Sequence, residues 1–395
     1  MKRILFLAGL VVAAATLFLT STSALAQDAG KSTVHQIASE ALSGSRTVTV
    51  QVPDSYAAYA STRFPVLYLL DGETNLAHAG PVVDFLADNG RIPEMIIVAV
   101  HAGATRAQDF TPPVEGQEGA GAGSAAYLAF LEDELVPFIE DRYRTAPLRL
   151  LSGHSMGGLF ATWAMASESH LMDAWLAQSP YLVDGAGPGV VDALAAGVTA
   201  TGSATDTPYY YANLGDEPDL EAGFGLLEKH LGTLEPAAID WTLERMPAES
   251  HMSTSLKGLY NGLTGYFVDL WPMAAAALEE GGVEGLSAHI AGLSEHYGYD
   301  VLFSEQPFQD VTQRFMMQRD MASAREAAAL YVEHHDPSVV AHFLHGVTLA
   351  STGAAADGLK EIERAIALYE AAPDPALAPV YGQLKQLRQQ LGGGQ

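Results

Sequence analysis

The stretch Leu148-Arg149-Leu150-Leu151-Ser152-Gly153-His154-Ser155-Met156-Gly157-Gly158 constrains this chain most. An apolar run of strand character leads into G-x-S-x-G, and a helical pattern, Met156–Ser167, follows at once. A strand that turns abruptly into a helix leaves no room for side chains beside the turn. The reading therefore expects collisions with neighbouring backbone if Gly153 or Gly157 carried a Cβ. It also places Ser155 at the apex, on strained dihedrals, with its hydroxyl exposed above a sheet. The amide N–H of Met156 then points to where an oxyanion would form.

The surrounding sequence supplies that sheet. Strand signals recur at Thr47–Val52, Pro65–Leu70, Met95–His101, Leu148–Ser152, Ala174–Gln178, Tyr209–Leu214 and Ile239–Arg245. Several are almost wholly apolar, as strands buried on both faces must be. Helical stretches at Gly123–Tyr143, Met156–Ser167 and Leu220–Leu231 alternate with them, which predicts a mostly parallel sheet covered by helices. The segment Glu115–Gly123 reads as a loop. Gly185–Thr207 reads as a small-residue excursion with a short helix near Val190–Ala196.

A serine hydroxyl needs a base and an orienting acid. His251, in the loop after the last strand, stands where a base at the sheet edge belongs, whereas His170 and His230 fall on or beside helices. The acid is expected after Tyr209–Leu214, where Asp216, Glu217 and Asp219 crowd one turn. Asp216, nearest the strand end, is the first choice, and Glu217 the alternative. A second oxyanion donor is expected from the turn Asp71-Gly72-Glu73 after Val66–Leu70, through the backbone N–H of Glu73, with no part for its side chain.

These residues resemble the esterase D-like branch of the α/β-hydrolases, which includes enterobactin-type siderophore esterases, S-formylglutathione hydrolase, feruloyl esterases and mycolyltransferases. The resemblance covers about residues 32–272. It rests on Val66–Gly72 (VLYLLDG), on Arg106 with Asp109-Phe110-Thr111-Pro112, and on Phe130-Leu131-Glu132, Leu135–Ile139 and Arg142-Tyr143-Arg144. It also rests on Gly153–Gly158 and on Met246-Pro247 with His251. It implies an α/β-hydrolase fold and a serine mechanism on carboxylic esters or thioesters, proceeding through an acyl-enzyme. It implies neither a metal nor an organic cofactor. Arg106 and Asp109 either shape the pocket mouth or form a surface ion pair, and Tyr181 either lines the pocket or packs.

Composition narrows the partners. There is no cysteine, so disulfides, thiol nucleophiles and thiolate zinc sites are excluded. The formal charge of −27 argues against nucleic acid and anionic lipid; the small-molecule ester is the partner that the resemblance implies. Residues 1–26 read as a signal peptide: Lys2 and Arg3, an apolar run Ile4–Leu19, then Ala24-Leu25-Ala26 before Gln27. A periplasmic or secreted protein, free of the membrane after cleavage, is expected.

Beyond Trp271 strand signals give way to Ala-rich helical periodicity. Residues 273–310 read as a helical connector. Residues 311–395 resemble degenerate tetratricopeptide repeats: Ala322, Ala329 and Pro337 share their offsets with Gly358, Ala365 and Pro373, and Gly346 and Gly353 add small residues that let helices approach closely. This region is a candidate surface for a protein partner or for self-association. The competing reading of the whole chain is a catalytically lapsed hydrolase fold acting as a scaffold through these helices.

Overall fold

A computed structural model describes residues 31–114, 122–167, 170–183, 185–201, 207–234, 238–267 and 270–393. The proposed signal peptide and the loop residues 115–121 lie outside the described residues. Eight strands form one sheet: β1 (Ser32–Ser39), β2 (Gly44–Gln51), β3 (Phe64–Leu70), β4 (Ile96–Val100), β5 (Thr145–His154), β6 (Ala174–Gln178), β7 (Tyr209–Leu214) and β8 (Asp240–Arg245). Their order is β1-β2-β4-β3-β5-β6-β7-β8. The pairs β1–β2 and β2–β4 are antiparallel, and all others are parallel. The α/β-hydrolase fold expected from the resemblance is the fold observed.

Every residue of β3, β4, β6 and β7 is buried. Alternation explains how both faces are used. Leu67, Leu69, Ile97, Leu150, Leu176 and Tyr211 pack on one side, while Tyr68, Leu70, Val98, Leu151, Trp175 and Tyr210 pack on the other. On the first side lie α1 (Gly72–Asp88) and the helix after β8. On the second lies the chain from α2 (Arg106–Phe110) through α3 (Ala122–Ala129), a π-helical turn Phe130–Leu135, and α4 (Val136–Arg142). That side also carries α5 (Met156–Ser167), α6 (Gly187–Thr201) and α7 (Glu221–Leu231).

Three elements differ from the sequence reading. The edge strand β1 escaped it because most of its residues are exposed and polar residues interrupt its apolar ones. The turn at Asp71 opens not a loop but the helix α1, since Asp71 adopts a left-handed conformation (φ 54°) and the chain coils from Gly72 onward. The small-residue excursion forms α6, which buries Val190, Val191 and Leu194.

After α8 (Thr254–Tyr266) the chain forms α9 (Trp271–Tyr297), α10 (Glu305–Met317), α11 (Met321–His334), α12 (Val339–Ser351), α13 (Ala355–Ala371) and α14 (Ala378–Gly392). The helix α9 breaks at Gly282, whose φ is 62°. Gly346 and Gly358 face each other between α12 and α13: a Cβ on Gly358 would lie 2.7 Å from the Gly346 carbonyl oxygen. Among the described residues no helix is long and apolar enough to cross a membrane.

These helices are not a detached appendage. Leu278, Leu286, Phe308, Tyr331, Leu344 and Leu384 belong to the same apolar cluster as Leu67, Leu86 and Leu263. Polar ties reinforce the seam: Tyr59 Oη lies 2.6 Å from His335 Nδ1, and Ser304 Oγ donates to the Asp88 carbonyl at 3.2 Å. Both ties sit at the end of the sheet opposite Ser155. A chain ending at Leu270 should therefore expose an apolar sheet-side face, precipitate, and bind the dye ANS. A monodisperse truncated chain without dye binding would show the helices to be dispensable.

Candidate active site

The C-terminal ends of the parallel strands converge on Ser155. Its φ of 60° is the left-handed geometry expected for the apex of a strand-to-helix turn. The turn is stapled to β6: the Ser155 N–H donates to the Gln178 carbonyl at 2.9 Å, and the Tyr181 N–H donates to the Ser155 carbonyl at 3.2 Å. A Cβ on Gly153 would come within 2.3 Å of the Gly157 carbonyl oxygen, so glycine is obligatory there. Gly157 itself is less confined than expected, since a Cβ would meet nothing nearer than Asp71 Oδ2 at 3.4 Å. The tighter position is Gly158, 3.0 Å from Pro180 Cα. Non-glycine positive φ also occurs at Asp71, after β3, and at Ser179, after β6. Strain thus gathers at three strand ends around one point, a pattern typical of functional sites.

His251 sits beside this elbow. Its ring centroid is 4.5 Å from that of His154, the residue preceding Ser155. His154 Nε2–H donates to the His251 carbonyl at 2.7 Å, pinning the loop that carries His251. This contact was not foreseen, because position 154 in the motif carries no requirement that spacing could reveal. Burial pushes His154 down from its ordinary 6.5 to about 4, with the nearby His251 and Arg106 acting in the same direction against its hydrogen bond. A histidine whose folded pKa lies below its free value contributes fully above about pH 6.5 and loses that contribution as pH falls toward 4. The melting temperature should thus fall across that window, and less steeply in His154→Gln, which keeps an N–H donor but does not titrate. Equal slopes would remove His154 from the account.

The carboxylate that meets His251 is Glu217, the alternative, and not the first choice, Asp216. His251 Nδ1–H donates to Glu217 Oε1. Glu217 Oε2 accepts from Ser179 Oγ at 2.5 Å and from the Gly215 N–H at 2.8 Å. Its side chain is only 7% exposed, while Asp216 and Asp219 are exposed. Burial alone would raise the Glu217 pKa. The Ser179 hydroxyl, the Gly215 amide and His251 outweigh it, so the carboxyl sits below its usual range and stays ionised. Asp216 is turned outward because its N–H bonds the Glu249 carbonyl at 2.7 Å, which locks the turn one residue later than strand-end counting suggests. Thr254 Oγ1 ties Ser179 Oγ (2.8 Å) to the His251 carbonyl (2.7 Å), closing a polar network around the pair.

Two helix N-termini flank Ser155. Met156 begins α5, and Glu73 lies in the first turn of α1. First-turn N–H groups lack intrahelical acceptors and carry the positive end of the helix dipole. The Glu73 side chain is more engaged than expected. Its carboxylate accepts from the N–H groups of Gly103 (2.9 Å) and Ala102 (3.1 Å), and it also bonds its own N–H. Gly72 is fixed by contact, since a Cβ there would lie 2.5 Å from the Ala99 carbonyl carbon.

Arg106 and Asp109 do not pair with each other. Arg106 grips Asp71 through Nε (2.6 Å) and Nη2 (2.9 Å), whereas Asp109 pairs with buried Arg46 at 2.8 Å. Tyr181 is partly exposed beside the elbow. No group of three or more His, Asp or Glu among the described residues is arranged to hold a metal ion.

Residues 39–189 match the family described as Putative esterase. The ferri-bacillibactin esterase BesA of Bacillus subtilis (strain 168) is 30% identical over 140 residues, covering 30% of this chain and 47% of that protein. The siderophore triacetylfusarinine C esterase of Aspergillus fumigatus is 28% identical over 132 residues, covering 29% of this chain and 44% of that protein. The chain thus spans about half the length of the curated relatives it matches. Among solved structures, an IroE-like serine hydrolase from Shewanella oneidensis is similar at a TM-score of 0.60 and 26% identity, over 77% of this chain and 99% of that one.

Proposed function

We propose, from the match of residues 39–189 to the putative esterase family and from the site geometry, that this chain is an exported serine hydrolase that cleaves carboxylic esters through Ser155, His251 and Glu217. The observation that carries the reading is the Glu217–His251 hydrogen bond beside a strained Ser155. Because an ionised carboxylate only accepts, His251 holds its proton on Nδ1 and leaves Nε2 free to take one. In the proposed cycle Ser155 Oγ attacks the ester carbonyl as His251 Nε2 removes its proton. The Met156 N–H holds the oxyanion, joined by the Glu73 N–H once that group releases its own carboxylate. His251 then protonates the leaving alcohol, and water, activated by the same histidine, releases the acyl group from Ser155.

Siderophore esters, named for two relatives, and other small esters both fall within this reaction class. The signal pattern of residues 1–26 supports export to the periplasm or beyond. The helices α9–α14 serve as a brace for the sheet, and their outer face is the candidate surface for a protein partner. A fluorophosphonate probe tests the assignment: it should label the protein once, at Ser155, and His251→Ala should abolish labelling. Labelling elsewhere, or none, would refute it.

A further inference from the structure

The substrate's charge can be argued from the ion pairs around the site. Among the described residues, the lysines and arginines that reach the Ser155 end of the sheet are Arg46, Arg106, Arg245 and Lys257. Each is already matched by a carboxylate. Arg46 pairs with Asp109 at 2.8 Å and Arg106 with Asp71 at 2.6 Å. Arg245 pairs with Glu221 and Glu228, both at 2.9 Å, and Lys257 with Glu249 at 3.1 Å. Arg106 is the cation nearest the nucleophile, and its fork is spent on both oxygens of Asp71 and on the His154 carbonyl. Glu73, Asp216 and Asp219 add carboxylates that have no Lys or Arg partner among the described residues. The local field is therefore negative, in keeping with the formal charge of −27.

The exposed apolar side chains point the same way. Met252, directly after His251, is 64% exposed, and Leu256, on the first turn of α8, is 48% exposed. Tyr181, whose N–H bonds the Ser155 carbonyl, is 37% exposed. Met252 and Leu256, exposed on the segments beside His251, are available to an apolar part of a ligand.

Taking the esterase reading as given, we infer that this site accepts uncharged esters with an apolar acyl or alcohol part and rejects anionic ones, multiply charged iron(III) catecholates included. An anionic acyl chain would meet carboxylates with no unpaired Lys or Arg among the described residues to receive it, and its desolvation would go uncompensated.

The test uses the full chain and a matched pair, 4-nitrophenyl pentanoate and mono-4-nitrophenyl glutarate, in which a terminal methyl becomes a carboxylate. After subtraction of spontaneous hydrolysis, kcat/KM should favour the pentanoate by on the order of tenfold to a hundredfold. The gap should narrow as salt is raised. Asp71→Asn, which tolerates the same left-handed backbone, releases Arg106 and should raise the glutarate-to-pentanoate ratio about tenfold. Glu249→Gln releases Lys257 on the surface and should raise it severalfold, and it keeps the test open if the first variant fails to fold. Equal rates on the two esters, a preference for the glutarate, or an unchanged ratio in folded variants would overturn the inference while leaving the esterase reading intact. Hydrolysis of neither ester, with Ser155 unlabelled by fluorophosphonate, would overturn that reading and the inference with it.

Discussion

Glu217→Gln should lower kcat on a short 4-nitrophenyl ester by on the order of 10³- to 10⁴-fold, while Asp216→Asn should stay within about twofold of the unaltered chain. The amide of glutamine presents either an N–H or a neutral oxygen to His251 Nδ1. The first forces the proton onto Nε2, and the second no longer stabilises the imidazolium. Ser179 Oγ and the Gly215 N–H, both aimed at Glu217 Oε2, show that this pocket is built for an anion. Asp216 is exposed, and its backbone, not its side chain, makes the contact that shapes the turn. The opposite ranking of the two variants would return the acid to Asp216.

Ser155→Ala should remove at least about 10³-fold of the hydrolytic rate, because nucleophile and base act as a unit and lose nearly everything when one is absent. The fold should survive. The elbow is fixed by the backbone bonds of Ser155 to Gln178 and Tyr181, which the substitution leaves in place. Ser155→Gly should be equally inactive and melt higher, since glycine adopts a φ of 60° without a Cβ penalty. Circular dichroism and thermal melts beside the ester assay would check both. Ester cleavage retained by Ser155→Ala would remove the serine mechanism.

How much of this was legible in sequence follows physical rules. The strands β6 and β7 and the helix α5 have the bounds read from the chain, because a strand buried on both faces and a helix launched from a glycine-flanked turn are dictated by local composition. The helix α1 was not legible: Asp-Gly is a turn signal, and only packing of Gly72 against Ala99 turns that corner into a helix start. The ion pairs of Arg106 and Asp109 were misjudged for the same reason. Their partners, Asp71 and Arg46, are remote in sequence, and the topology of the sheet brings them together.

The sequence by itself determined the strained turn at Ser155, the parallel sheet and the position of His251 after the last strand, because each rests on backbone sterics or on apolar pattern within a short window. The choice of Glu217 over Asp216 belonged to tertiary structure. A carbonyl from Glu249 captures one amide of the β7 turn, and that single bond decides which of two adjacent carboxylates faces inward. The packing of the C-terminal helices was decided the same way. Ala-rich periodicity announces helices, but where their apolar faces go depends on the sheet face left open for them, and no local pattern records that.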